Sequence, residues 1–235
     1  MKNIIFVVSE VGYTWEEVIV PYMEFKKYGY HVDFSTITGG KPKVDPLSIV
    51  VRPIINKIGF GISKSLSTNS EIGNELQEKL NKSISIDVIN CNNYEGIFLA
   101  GGHGSLFDMN KNKKLHKVIL EFYKRDKKIM SICHAASTLA FVNINGVSLI
   151  QDKKVTGFPT FQEHAILKFK MIHSSFLPLP IWTGKELNKY SKKRNIGIKI
   201  WEVLNSNYAV RDGNIITGVG PKAGKNIVRK MVEKE

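Results

Sequence analysis

Cys133 and His134 stand side by side in "KIMSICHAAS", Lys128 to Ser137, directly after an apolar run. A structural cysteine would suit the apolar run. It would not account for the histidine, or for the small residues Ala135, Ala136 and Ser137 behind it. The pattern suits a nucleophile at a sharp strand-to-helix turn. A cysteine just ahead of a helix start feels the positive end of the helix dipole and the free N–H groups of the first turn, and both favour thiolate. Small residues after it let other backbone approach, so the His134 N–H and the donors of Gly101 and Gly102 in "AGGHGSLFD" would form an oxyanion hole. On this local pattern a purely structural cysteine remains the alternative.

Two carboxylates are candidate partners. Glu17 lies just past the first strand, on a helix facing the same rim, where burial would raise its pKa and let it pass protons near neutrality. Plain helix-start charge is the competing reading for Glu16 and Glu17. Glu163 in "TGFPTFQEH" is placed to hold His134, or else is an exposed glutamate at a helix start. Adjacent side chains usually diverge, so His134 is not expected to touch its neighbour's sulfur. His103, flanked by glycines, and Asp108 would line the pocket or satisfy a turn. His31, His116, His164 and His173 show no zinc-ligand spacing, so no metal is expected. Neither "GFGIS" nor "VGPKAGKN" has the G-x-x-x-x-G-K-[ST] spacing of a phosphate loop.

These residues need elements to hold them. Asn3 to Ser9, "NIIFVVS", is a continuous apolar run of the buried parallel-strand type. "WEEVIVPYMEFKKYG" reads as a helix that Pro21 should kink or restart and Gly29 should stop. "HVDFSTI", "GIFLAGG" and "KIMSIC" read as strands, with helices over "EIGNELQEKLNK", "LHKVILEFYKR" and "HAASTLAFV". "VSLI", "KVTGF" and "YAVRDGNIITG" read as further strands, the last split by an Asp-Gly turn, and Pro221 opens a closing helix. The alternation predicts an α/β protein with an open, mostly parallel sheet and helices on both faces. Sites in such sheets form beyond the carboxyl ends of the strands, where "SEVGYTWEE", "AGGHGSLFD" and "CHAAS" all fall. With no internal repeat or linker, residues 1–235 are expected to form one domain, with 49–70 and 165–182 as inserts or lid segments.

The 43% apolar residues among 235 are enough for a sizeable core. The net charge of +13 comes from lysines spread along the chain, as in "KNKKLHK" and "KKRN", with no basic arm and no nucleic-acid module, so a solvated basic surface is expected rather than a nucleic-acid partner. Two cysteines, Cys91 and Cys133, fit a reducing compartment better than a disulfide framework. No signal-peptide pattern and no membrane-length apolar run occur, so a cytoplasmic protein is expected.

Five segments together resemble the DJ-1/PfpI superfamily, and within it the Hsp31-like branch, over nearly the whole chain. They are "EEVIVPYMEFKKYGYHVDFSTITGGKPKVDP", "GIFLAGGHGSLFD", "SICHAAS", "KKVTGFPTFQE" and "DGNIITGVGPKA". The resemblance implies a flavodoxin-like fold, Cys133 as nucleophile, His134 as its partner, Glu163 as the acidic third member, and Glu17 as the glutamate bonded to the cysteine. It also implies a cofactor-independent glyoxalase acting on methylglyoxal or a related reactive aldehyde, and a homodimer. A stress chaperone is the alternative it carries, for which "SSFLPLPIW" is the candidate apolar surface. A peptidase or hydrolase and a redox sensor on the same cysteine are also compatible. A glutamine amidotransferase is disfavoured, because no His-x-Glu motif follows Cys133. Ala135-Ala136 depart from the family's Gly-Pro, and added methyl groups at this turn are expected to narrow the oxyanion hole or shift the elbow, affecting the rate more than the site.

Overall fold

The computed structural model describes residues 2–50, 64–169, 171–191 and 207–233. The first apolar run is β1 (Lys2–Val7), followed by α1 (Glu16–Lys27), β2 (Tyr30–Thr36), α2 (Glu71–Leu80), β3 (Ile84–Ser85) and β4 (Gly96–Leu99). Then come α3 (Ser105–Asp108), α4 (Lys113–Lys124), β5 (Lys128–Ile132), α5 (Thr138–Phe141), β6 (Asn143–Ile144) and β7 (Val147–Ser148). The chain continues through α6 (Thr160–Lys168), α7 (Thr183–Tyr190), β8 (Ala209–Asp212), β9 (Ile215–Gly218) and α8 (Gly224–Val232).

Seven strands form one sheet in the order β3-β2-β1-β4-β5-β9-β8, parallel throughout except for the β8–β9 pair. Without its edge strands, the order is that of a flavodoxin-like sheet. Alternate residues of β1 serve opposite faces, which is why the run is apolar throughout. Ile4 and Phe6 pack with Val18, Tyr22 and Phe25 of α1 and Ile227 of α8. Ile5 and Val7 pack with Leu115, Ile119 and Phe122 of α4. Phe6 also stacks on Phe98 at 4.5 Å, and each such buried ring contributes on the order of 1.5–3 kcal/mol.

The strand order reverses between β1 and β4, so connections diverge there. The register Val7↔Leu99 and Leu99↔Ser131 sets the carboxyl ends of β1, β4 and β5 level with one another. The three sequence segments expected to carry chemistry therefore leave the sheet at one place.

Four local expectations are corrected. Helix α1 runs through Pro21 without interruption. A proline there removes only the N–H that would meet the Glu17 carbonyl, and its ring packs on α8, with Cδ 3.0 Å from where a Cβ on Gly224 would lie. "KVTGF", Lys154–Phe158, is not a strand. It crosses the ends of β5 and β9, so its backbone bonds elsewhere: Thr156 N–H donates to Thr217 Oγ1 at 2.7 Å, and Phe158 N–H to the Cys133 carbonyl at 3.2 Å. "HAASTLAFV" is a 3₁₀ turn from Cys133 to Ser137 followed by the short α5. Only Val147 and Ser148 of "VSLI" are strand, and they pair with β6 outside the main sheet. The Asp-Gly turn between β8 and β9 forms as expected, with Gly213 at φ +63°.

Of the stretch 49–70, residues 51–63 lie outside the described residues. Within the remainder, the Leu66 carbonyl accepts from Trp15 Nε1 at 2.7 Å, tying the segment to the start of α1. No helix among the described residues is long and apolar enough to cross a membrane.

Candidate active site

Strand β5 ends in extended backbone at Ile132, and Cys133 then adopts φ +57°. A left-handed conformation is costly for a residue with a Cβ, and such strain persists only where surrounding structure enforces it. Here β5, the 3₁₀ turn and the Phe158 N–H on the Cys133 carbonyl enforce it. The turn also changes the relation of Cys133 to His134. Their side chains do not diverge as expected: Sγ lies 3.3 Å from His134 Nδ1. The methyl of Ala136 is fully buried. It faces Gly157, where an added Cβ would lie 2.9 Å from it.

Cys133 is only 3% exposed. Burial pushes its thiol well above the ordinary cysteine range, and the Glu17 carboxyl beside it pushes the same way, while the His134 N–H opposes them. The expected thiolate-favouring effect of the turn is therefore outweighed by burial and by the neighbouring carboxyl.

Glu17 comes from the first turn of α1 and is 0% exposed. Burial raises its pKa to about 8; the interaction with Cys133 opposes that rise, and Glu16 and Asp45 add to it. Neither of its oxygens has a hydrogen-bond partner of ordinary geometry among the described residues. Gly101 is what lets the two groups meet. A Cβ there would lie 2.0 Å from Glu17 Oε2, 2.6 Å from the Ile132 carbonyl and 2.9 Å from Cys133 Cβ. Gly102, at φ +119°, turns the chain over the loop after β1, and the Thr14 N–H bonds to the Gly101 carbonyl at 3.1 Å.

The His134 ring stacks on Phe158 at 4.4 Å. Its pKa is held well below the ordinary value by burial, and the neighbouring His103 acts in the same direction, so the ring is neutral. Its Nε2 lies 3.7 Å from Glu163 Oε1, beyond hydrogen-bond distance. Glu163 is not an exposed glutamate: it is 0% exposed, and Oε1 accepts the Thr183 N–H at the start of α7 at 2.8 Å. Burial raises its pKa to about 7 against that bond.

His103 joins the cluster, its ring 4.7 Å from that of His134. Its Nδ1 faces Asp45 Oδ2 at 3.2 Å, and Phe176 stacks on it at 5.5 Å. Asp108 does not join. It ties down the turn after β1, accepting from Ser9 Oγ at 2.9 Å and Glu10 N–H at 2.8 Å, and burial lifts it to about 6. His116 is likewise a fold residue, its Nε2 against the Asn110 carbonyl at 2.8 Å. Among the described residues no group of three His, Cys, Asp or Glu side chains is placed to hold a metal ion.

Sequence reasoning missed Asp45, Phe158, Phe176 and Thr183. Asp45 carried one signal, since an Asp before Pro46 caps the short turn that follows. The aromatic pair and Thr183 carried none. Within "SSFLPLPIW" Phe176 is turned inward, 2% exposed and filling the space over Gly12, while Trp182 is half-buried and Leu177 is exposed.

A family model described as ThiJ/PfpI family-like matches residues 8–178. The chain is 29% identical over 223 residues to Glyoxalase 3 of Candida albicans, covering 92% of this chain and 86% of that protein. It is 26% identical over 228 residues to the glutathione-independent glyoxalase hsp3102 of Schizosaccharomyces pombe, covering 95% and 89%. The crystal structure of glyoxalase III from Candida albicans superposes with a TM-score of 0.68 at 21% identity, covering 98% of this chain and 96% of that one.

Proposed function

The chain belongs to the ThiJ/PfpI family, and on that premise we propose that it is a cysteine-dependent, glutathione-independent glyoxalase acting on methylglyoxal or a related small 2-oxoaldehyde. The observation that carries this reading is the buried Glu17 carboxyl set against Cys133, with its pKa raised to about 8. A carboxyl that gains and loses a proton near neutrality is what the isomerisation of a 2-oxoaldehyde requires. The likeness to named glyoxalases over more than nine-tenths of the chain supports the same conclusion.

The chemistry is an internal exchange of oxidation level. Cys133 Sγ adds to the aldehyde carbon C1, and its proton passes to the carbonyl oxygen by way of His134 Nδ1. Glu17 removes the proton from C1 of the hemithioacetal, and the electron pair forms a C1–C2 double bond as the C2 carbonyl pair moves onto its oxygen, an enediolate. The same carboxyl returns the proton to C2, while the proton on the C1 oxygen passes to the C2 oxygen. C1 is then oxidised to a thioester and C2 reduced to an alcohol. Water cleaves the thioester to a 2-hydroxy acid, which is lactate when methylglyoxal is the substrate. The backbone N–H groups of Gly102 and His134 would hold the oxyanion. Glu163 of α6, fixed by the Thr183 N–H, would steady His134 from its Nε2 side.

One domain, a homodimer and a cytoplasmic setting go with this reading. Two cysteines, both buried and neither in a disulfide, support a reducing compartment. The test is lactate formation from methylglyoxal without glutathione. Cys133→Ala is expected to abolish turnover and Glu17→Gln to lower it at least about a hundredfold. Wild-type activity in either variant would overturn the assignment.

A further inference from the structure

Asp45 and His103 form a second polar pair, beside the His134 ring, that the isomerisation does not use. His103 Nδ1 lies 3.2 Å from Asp45 Oδ2. Asp45 is itself fixed: its Oδ1 accepts the Leu47 N–H at 2.9 Å, and its own N–H donates to the Tyr13 carbonyl at 2.8 Å. A carboxylate facing Nδ1 keeps the ring proton there, so the neutral ring carries its lone pair on Nε2. That is the tautomer a base needs when it takes a proton from water or a hydroxyl. His103 Nε2 is buried and has no hydrogen-bond partner among the described residues. A buried polar atom left this way is a place where a ligand or substrate atom is expected.

Release of the acid from a thioester needs a base next to the sulfur but not engaged with it. Glu17, its proton already returned to C2, faces Cys133, and His134 Nδ1 sits 3.3 Å from Sγ, placed to serve the departing sulfur. The His103 ring lies 4.7 Å from the His134 ring. We propose that His103, oriented by Asp45, is the base that activates the water releasing the acyl group from Cys133. This rests on Cys133 being the nucleophile of the proposed function. Water gives a proton to Nε2 as its oxygen bonds to the carbonyl carbon. The tetrahedral species then collapses, the carbon–sulfur bond breaks, and its electron pair returns to Sγ. The proton held by His103 passes back to the sulfur by way of His134, so thioester and water become carboxylic acid and thiol. Asp45 acts as a positioning residue.

The test uses p-nitrophenyl acetate, which acylates a reactive cysteine without any isomerisation. Wild type is expected to give a burst of nitrophenol followed by steady turnover, with Cys133→Ala giving neither. His103→Gln should keep the burst, slow the steady phase about a hundredfold or more, and accumulate an acetyl group on Cys133 in the intact-mass spectrum. Asp45→Asn should keep the burst and slow the steady phase about tenfold or more. Wild-type deacylation in His103→Gln would overturn the proposal. So would loss of the burst in both variants while their circular dichroism stays native, or a wild-type protein whose Cys133 is never acylated. Should lactate formation from methylglyoxal fail while deacylation depends on His103, the glyoxalase reading falls and this one stands.

Discussion

Replacing Glu17 by glutamine should change how stability depends on pH, not only activity. Glu17 is fully buried, and its pKa rises from 4.5 to about 8, chiefly through burial. In the unfolded chain it ionises near its ordinary value, so between about pH 4.5 and pH 8 the folded state binds the extra proton. Stability must then fall as pH rises through that window. Each pKa unit corresponds to about 1.4 kcal/mol, so a rise from 4.5 to about 8 predicts a loss on the order of 4–5 kcal/mol between pH 4.5 and 8. Glutamine removes the titration and preserves the shape. Urea unfolding of wild type and Glu17→Gln at several pH values isolates the contribution, because the raised Asp108 and Glu163 carboxyls are common to both. The variant should gain on wild type by several kcal/mol between pH 5 and pH 8. Parallel stability curves would show that Glu17 is not held neutral beside Cys133, and the proton-transfer argument would fall with it.

The rate itself should climb with pH toward an apparent pKa of about 8, as Glu17 becomes the ionised base; a rate independent of pH from 6 to 9 would count against that role. Glu163→Ala leaves the Thr183 N–H without its acceptor, so chemical denaturation should show a loss of about 1–3 kcal/mol, whereas Glu163→Gln keeps an acceptor and should stay within about 1 kcal/mol. Phe176→Ala should cost about 3–5 kcal/mol and speed the reaction of Cys133 with a thiol reagent, since that ring covers His103 and Gly12. The milder Phe176→Leu separates the two effects, and an unchanged thiol rate in both would mean access runs elsewhere.

Much of the sheet was legible because burial on both faces leaves a plain mark. "NIIFVVS" and "GIFLAGG" have no polar alternation to confuse them, and the Asp-Gly turn specifies its hairpin. "KVTGF" misled because apolar and β-branched content reports burial rather than pairing, and this segment is buried by crossing strand ends. Pro21 misled because the neighbour that accepts its ring, Gly224, lies far along the chain. Within the site, Cys133 and Glu17 were visible from their place after strands. The Cys133–His134 contact was not, since it depends on one backbone angle. The setting of Glu163 depends on Thr183, and that of His103 on Asp45, partners that only the folded chain brings close.

The level ends of β1, β4 and β5 have a consequence for how such a protein can diversify. Glu17, Gly101 and Cys133 follow three strands that neighbour one another in the ladder, so hydrogen bonds between main chains set their spacing. Phe176, by contrast, reaches the site from a connection between α6 and α7 that joins no strand. The sulfur with its carboxyl and the ring over His103 are thus held by different kinds of structure. A lineage could rebuild the α6–α7 connection wholesale, exchanging one clientele of small molecules for another, without altering the spacing between the sulfur and the carboxyl that serves it.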